Sequence, residues 1–277
     1  MDYVRRFLFE DLDIRGAVVS LGNAWHEMHA GRDDPPAVNA LLGELAAVTA
    51  LIGGNLKTPG RITFQLQGHG QGQISLLLVD CDEQLRLRGT AKHAGAVSPA
   101  PTFTEMLGDG QLMLTLRTNI GDPYQSVVPL VGASLTAVFE HYLVQSEQQP
   151  AKLFLTASND FAGGLFLQKL PDADAKDPDG WNRLLHLAAT LKPAELAEPA
   201  AQLLMQLFPE ENIRLFDPRP VRYYCPRDEE KVLAMLRSLG RAELEAALAE
   251  QGEIAVEDDI CRQSYRFGPD IVPRLFD

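Results

Sequence analysis

The hydrophobic pattern of the chain changes near residue 171, and this change constrains the fold more than any other feature of the sequence. Before it, short stretches alternate between apolar and polar residues or run as apolar blocks, which is typical of β-strands. After it, apolar residues recur every three or four positions, which is typical of amphipathic helices. Residues 171–180 are acidic and rich in Pro and Asp, and they indicate a linker between the two patterns.

Residues 1–171 predict one α+β domain with a large antiparallel or mixed sheet and crossing helices. Helical spacing of apolar residues predicts helices over 38–56 and 135–145. The pair Pro35-Pro36 favours the start of the first helix, and Gly53-Gly54 favours its end. The strand-like stretches are 9–21, 62–66, 74–79, 85–90, 111–117, 126–131, 152–156 and 165–170.

The segment 172–220 predicts a helical linker. Its apolar residues form two stripes, which are interrupted at Pro193 and Pro199. Members of these stripes are Leu184, Leu185, Leu203 and Leu207.

The last segment, 221–277, predicts a small C-terminal domain. We expect helices at about 228–239 and 242–250, followed by a hairpin that pairs 254–256 with 265–267. In a domain of this size, an apolar core alone gives only marginal stability.

The charge balance argues against nucleic acid as a partner. The 277 residues contain 25 Lys+Arg and 38 Asp+Glu, which gives a formal net charge of −13, whereas phosphate backbones require basic patches. Acidic residues interrupt the N-terminus before a signal sequence could form. The longest charge-free stretch, 123–139, is too short and too polar to span a membrane. We therefore expect a cytoplasmic protein without a membrane partner.

Local motifs give no indication of an enzyme. The glycine-rich stretch 68–72 lacks the lysine and the following helix of a phosphate loop, so a hairpin turn is favoured. His26 and His29 share a helix face without an obvious third ligand, which favours a solvated surface over a metal site. The residues around Ser134 do not complete a nucleophile elbow. No catalytic residue is predicted.

The three cysteines cannot build a disulfide framework of the kind found in secreted scaffolds. Cys81 lies among acidic residues, which disfavour a thiolate, so we expect an unreactive thiol. Cys225 and Cys261 flank the two short C-terminal helices. Their positions alone leave open whether they are unrelated thiols or a functional pair.

Further motifs occur in a consistent order along the chain: RFLFE at 6–10, IRG at 14–16, LQGHG at 66–70, RGTA at 88–91, YQSVV at 124–128, SEQQP at 146–150, AGG at 162–164, LQ at 167–168 and Pro171. Together with the context of Cys225 and Cys261, these motifs resemble the heat-shock protein 33 family of redox-regulated holdase chaperones. The resemblance implies an α+β domain, a helical linker and a small zinc domain. It also implies that oxidation releases zinc and exposes an apolar surface, which holds unfolding proteins without ATP.

The sequence departs from this family at the zinc site. The family pattern of C-x-C and C-x-x-C places its four ligands at Cys225, Arg227, Asp258 and Cys261. Arginine is a permanent cation and cannot ligate a metal. At most Cys225, Asp258 and Cys261 remain, which falls short of a closed structural site. We therefore expect no zinc, and residual zinc on these three residues is the less favoured alternative.

Two replacements for the metal follow from the resemblance. Arg227 and Asp258 could form an ion pair, and Cys225 and Cys261 could also form a disulfide. An exposed ion pair contributes about 0–1 kcal/mol, whereas the chain-entropy estimate for this disulfide is about 4 kcal/mol. A reducing cytosol opposes the bond until oxidative stress.

The hypothesis is a zinc-independent holdase with an altered switch, activated by oxidation, by heat or constitutively. Its partners would be unfolding proteins, and the resemblance suggests a homodimer in the active form. The client-binding candidates are Leu184, Leu185, Leu203 and Leu207, buried when idle and exposed when active. The alternatives are a thiol-disulfide oxidoreductase that uses Cys225 and Cys261, and an adaptor for one defined partner.

Overall fold

A computed structural model of the protein describes residues 1–56, 58–95, 97–118 and 121–276. Its strands are β1 (Tyr3–Phe9), β2 (Ile14–Leu21), β3 (Gly60–Gln67), β4 (Ile74–Cys81), β5 (Arg86–His93), β6 (Gln111–Thr118), β7 (Tyr124–Pro129), β8 (Ala151–Ala157), β9 (Ala162–Lys169), β10 (Ile213–Leu215), β11 (Arg219–Pro220), β12 (Arg222–Tyr223), β13 (Ile254–Glu257) and β14 (Ser264–Phe267). Its helices are α1 (Asn23–His29), α2 (Pro36–Asn55), α3 (Phe103–Leu107), α4 (Leu135–Glu147), α5 (Ala173–Lys176), α6 (Gly180–Ala188), a 3-10 helix (Pro193–Ala197), α7 (Ala200–Leu207), α8 (Glu229–Leu239), α9 (Arg241–Gln251) and α10 (Ile271–Phe276).

The chain divides into two compact units, Met1–Tyr224 and Cys225–Asp277. The predicted linker, 172–220, lies within the first unit. The finer division at residues 171 and 220 stays a prediction.

The first unit confirms the α+β class, but its strands form two sheets instead of one large sheet. The first sheet has the order β10-β1-β2-β9-β8, with β11 also paired to β1, and the second has the order β12-β5-β4-β3-β6-β7. Every pairing is antiparallel except that of β12 with β5. The chain leaves the second sheet after β7 because α4 carries it across, and β9 then pairs with β2.

Helix α2 is the common core element of this unit, since it contacts β2, β8 and β9 of the first sheet and β3, β4 and β5 of the second. It begins as predicted, with Pro36 at its first turn. Among the described helices it is the one long and apolar enough to cross a membrane, yet 78% of its 18-residue apolar window is buried inside the protein. Packing between two sheets accounts for its apolar composition.

The pair Gly53-Gly54 was predicted to end this helix, but α2 continues through both residues to Asn55. Their role is close packing. A Cβ atom on Gly53 would lie 3.0 Å from the Sγ atom of Cys81 in the second sheet, and one on Gly54 would lie 2.9 Å from Val4 in the first. The absence of side chains therefore lets the last turn approach both sheets.

The predicted strand 9–21 contains the end of β1, a tight turn at residues 10–13 and the whole of β2. Asp13 in this turn has a φ of 52°, a left-handed conformation that Asp tolerates better than most residues. Strand β1 was missed because Arg5 and Arg6 interrupt its alternation.

The linker helices pack on the first sheet through a second apolar cluster. It joins residues of β1, β2 and β9 to buried residues of α6, the 3-10 helix and α7. The chain then returns along the sheets, and the short strands β10, β11 and β12 pair with β1 and β5. These three strands were not predicted, because segments of two or three residues carry no periodic signal.

The second unit contains the predicted helices as α8 and α9 and the predicted hairpin as β13 and β14. Asp228 caps α8, and its side chain accepts a hydrogen bond from the backbone N–H of Lys231. The additional helix α10 supplies Ile271, Val272 and Leu275 to a core of its own. This core contains residues of all three helices and both strands.

Glu44, the one charged residue of α2, gives the fold a testable pH dependence. Burial raises the pKa of the Glu44 carboxyl from 4.5 to about 7. Because the folded state favours the protonated form, ionisation of Glu44 lowers the free energy of unfolding. This destabilisation is absent below pH 4.5 and grows as the pH rises through about 7. We expect Glu44→Gln to raise the unfolding free energy by about 1–2 kcal/mol more at pH 8 than at pH 5.5.

Urea unfolding at the two pH values measures this difference. Glu27→Gln on α1 is the matched control, because it removes the same charge from an exposed position. Equal effects of Glu44→Gln on the unfolding free energy at both pH values would contradict the raised pKa of Glu44.

Candidate functional site

The two cysteines at the family's zinc positions are bonded to each other. Cys225 precedes α8, and Cys261 lies in the turn between β13 and β14. Their Cα atoms are 6.0 Å apart, within the range of about 4.4–6.8 Å that is usual for disulfides. The disulfide closes a loop across a sequence separation of 36 residues. Of the two replacements considered for the metal, the structure contains this one.

Asp258 organises the turn that carries Cys261. Its Oδ1 atom accepts hydrogen bonds from the backbone N–H groups of Ile260 and Cys261, at 2.9 and 2.7 Å. Gln263, on the other side of the turn, donates from Nε2 to the carbonyl oxygen of Cys225 at 2.7 Å. The residue at the third zinc position therefore acts as a hydrogen-bond acceptor that positions its neighbouring cysteine.

Arg227, at the second zinc position, does not pair with Asp258, so the ion-pair alternative is wrong. Its guanidinium donates to the carbonyl oxygen of Ser264 at 3.1 Å and lies 4.5 Å from the ring centroid of Tyr265. The Tyr265 hydroxyl accepts from the backbone N–H of Asp228 at 2.9 Å. These contacts tie the start of α8 to β14 without a metal.

The donor set does not fit the family's zinc. Two of the four positions are sulfurs bonded to each other, and a third is a cation that donates to a carbonyl group. A structural zinc site requires four ligands with free electron pairs. Among the described residues, no group of three or more His, Cys, Asp or Glu is placed to hold a metal ion.

Cys81 is separate from this site. It is fully buried at the end of β4, and desolvation, followed by the charges of Asp82 and Asp80, raises the pKa of its thiol. A thiol in this state is a poor nucleophile.

The two histidines lie on α1, with ring centroids 5.6 Å apart. His29 stacks on Trp25, and its Nδ1 atom lies 2.7 Å from the Trp25 carbonyl oxygen, so its position is explained by packing. The glycine-rich stretch 68–72 is the predicted turn of the β3–β4 hairpin.

The four client-binding candidates lie on α6 and α7 and differ in burial. Leu184, Leu203 and Leu207 are buried in the cluster that joins these helices to the first sheet. Leu185 is half-buried. The roles of these residues in client binding stay a prediction.

Sequence reasoning missed the contacts of Arg227 and the role of Tyr265. Tyr265 was visible only as part of a strand-like triplet, and nothing in the sequence indicates that its ring and hydroxyl would face Arg227 and Asp228. The strand spacing alone could have indicated that alternate residues of 264–267 face the core.

Comparisons with known proteins point to one family over nearly the whole length of the chain. The profile of the family described as Hsp33 protein matches residues 2–268. The chain is 37% identical over 278 residues to a 33 kDa chaperonin of Methylobacillus flagellatus, which covers 99% of this chain and 94% of that protein. It is also 37% identical over 275 residues to a 33 kDa chaperonin of Neisseria gonorrhoeae, with 98% of this chain and 90% of that protein covered.

A solved structure supports the fold. The crystal structure of a 33 kDa chaperonin (heat shock protein 33 homolog) from Thermotoga maritima matches with a TM-score of 0.83, over 99% of this chain and 97% of that chain. Its sequence identity is 19%, so this likeness concerns the fold alone. The profile match and the relatives at 37% identity show that this chain belongs to the Hsp33 family.

Proposed function

We propose that this chain is an ATP-independent holdase, which binds unfolding proteins and prevents their aggregation, and that one disulfide replaces the zinc switch of its family. Family membership supports the holdase activity. The Cys225–Cys261 bond carries the second part, since Arg227 and Asp258 make other contacts at the two remaining zinc positions. The activity needs no catalytic residue and no metal.

The packing of the linker suggests how the client-binding surface is kept inaccessible in the inactive state. Leu184, Leu203 and Leu207 are covered by the first sheet, so clients reach them only when α6 and α7 detach. Such a switch requires that the attached and detached states of the linker differ in free energy by only a few kcal/mol. Pro193 and Pro199 break the segment into short helices, which keeps its intrinsic stability low.

The partners we propose are unfolded or partly folded polypeptides in the cytoplasm, bound by an active homodimer. A thiol-disulfide oxidoreductase is disfavoured, because such enzymes place C-x-x-C at a helix N-terminus, which lowers a thiol pKa. Here the paired cysteines lie in two different loops, and the Asp258 carboxylate accepts a hydrogen bond from the backbone N–H of Cys261.

Zinc content tests the metal-free switch. We expect wild-type protein, purified without added zinc, to contain far less than one zinc per chain by mass spectrometry of the metal. The double variant Arg227→Cys/Asp258→Cys restores four thiols, and we expect it to bind about one zinc in the reduced state. One tightly bound zinc per wild-type chain would overturn the proposal.

The disulfide has an expected effect on stability. Under oxidising conditions, Cys225→Ser should lower the unfolding free energy of the C-terminal unit by about 2–4 kcal/mol. In dithiothreitol the variant and the wild type should unfold alike, because neither contains the bond. Cys261→Ser is the matched control and should behave as Cys225→Ser does.

Aggregation of a thermally unfolding client, followed by light scattering, then tests the switch. If wild type and Cys225→Ser gain equal activity on oxidation, the bond is not the switch.

Adjacent leucines of α6 test the covered surface. Leu184→Ala leaves a cavity against the sheet at a cost of about 2–5 kcal/mol, which should favour detachment of the linker and increase client binding in the reduced state. Leu185→Ala makes the same chemical change at a half-buried position and should have a smaller effect. Light scattering measures activity, and protease sensitivity of 172–220 measures detachment. Equal activities in both variants would show that linker packing does not control client binding.

A further inference from the structure

The edges of the two sheets differ in how they are protected. The first sheet ends on one side in the three-residue strand β10 and on the other in β8, where Glu140 accepts a hydrogen bond from the outward N–H of Leu153 at 2.9 Å. The second sheet ends on one side in the two-residue strand β12. Short strands and capped donors are common means of preventing unwanted strand pairing.

Strand β7, at the other edge of the second sheet, is longer than these strands, and among the described residues no side chain caps its outward donors. It is six residues long, and no described strand pairs with its outer side. The stretch from Tyr124 to Pro129 carries no charged residue. Pro123 and Pro129 lie at its two ends, so the free edge is short and well defined.

The register shows which backbone groups face outward. Leu130 donates its backbone N–H to the carbonyl oxygen of Gly110 at 3.1 Å, in line with the β6–β7 register. Because bonding to the neighbour alternates along an antiparallel strand, Tyr124, Ser126 and Val128 also bond to β6. Gln125 and Val127 therefore direct their N–H and C=O groups away from the sheet.

Three apolar side chains at or next to this edge are accessible to solvent. Tyr124, Val127 and Val131 are 56%, 51% and 47% exposed, whereas Val128 and Leu130 pack against the core. The edge thus combines outward-facing backbone N–H and C=O groups with accessible apolar side chains. An extended polypeptide segment could add to it as a further strand.

We propose that the outer edge of β7 docks extended apolar segments of unfolded clients by strand addition. This rests on the proposed holdase function, which supplies partners with unpaired backbone groups and exposed apolar side chains. The net charge of −13 on the chain favours neutral or basic unfolded segments as the occupants of this edge. A second copy of the chain carries the same negative charge, and the test below distinguishes it from a client.

The test uses the full-length chain and reduced, carboxamidomethylated lysozyme, a basic protein that stays unfolded. Val127→Pro removes one outward donor and leaves the bonds to β6 in place. We expect it to bind this probe about three- to tenfold more weakly than wild type. Val127→Thr keeps the donor and the branched shape, so its loss should be smaller, and the ratio of the two variants measures the backbone contribution.

Hydrogen exchange on the wild-type chain gives a second readout that does not depend on a variant folding. The amides of Gln125 and Val127 should exchange more slowly when the probe binds, while those of Ser126 and Val128 should already be slow. Probe binding by wild type with unchanged exchange at Gln125 and Val127 would overturn the edge proposal and leave the holdase function intact. Slowing that depends on the concentration of the chain alone would overturn it in favour of a second copy. Failure of wild type to bind the probe would count against both proposals.

Discussion

The burial of α2 between two sheets is the interaction on which the first unit depends. Each sheet presents an apolar face to the helix, and α2 covers much of both faces. Fourteen of its residues are buried, and the glycines of its last turn allow backbone approach to both sheets. The linker helices can then pack on the opposite face of the first sheet, which has its own apolar cluster. The first sheet is thus apolar on both faces, and on our proposal only the linker helices detach from it.

The C-terminal unit shows how a small domain can keep its fold when its metal ligands change. Its core draws on three helices and a hairpin, and the disulfide joins the segment before α8 to the hairpin turn. Arg227 and Asp258 satisfy backbone groups near the positions where the family's thiolates would lie. On our proposal, several moderate contacts take the place of the zinc centre, and the disulfide is the one among these contacts that responds to redox conditions.

The sequence predicted elements with strong local signals and missed those that depend on distant partners. The alternation of β3 matches its buried and half-buried residues one by one, and α2 was placed within a few residues. Two sheets could not be distinguished from one, because strand pairing is set by packing on α2 rather than by the alternation itself. For the same reason, β10 to β12 became strands only through their partners.

Within the candidate site, the family pattern indicated Cys225 and Cys261 but left their relation open. An ion pair between Arg227 and Asp258 was a reasonable expectation from opposite charges. It was wrong, since Arg227 and Asp258 form hydrogen bonds with backbone groups instead. Sequence spacing carries no information on such contacts.

The short strands that follow the linker also determine what its detachment would produce. Val221 donates to the carbonyl oxygen of Asp2, and Tyr224 donates to that of Leu87 and stacks under Arg86. The linker is therefore anchored at its far end as well as at β9. Once detached, it would form a closed loop on the first unit instead of a free tail, with a smaller gain in chain entropy and a limited reach. Clients held by such a loop would stay close to the sheet from which it came.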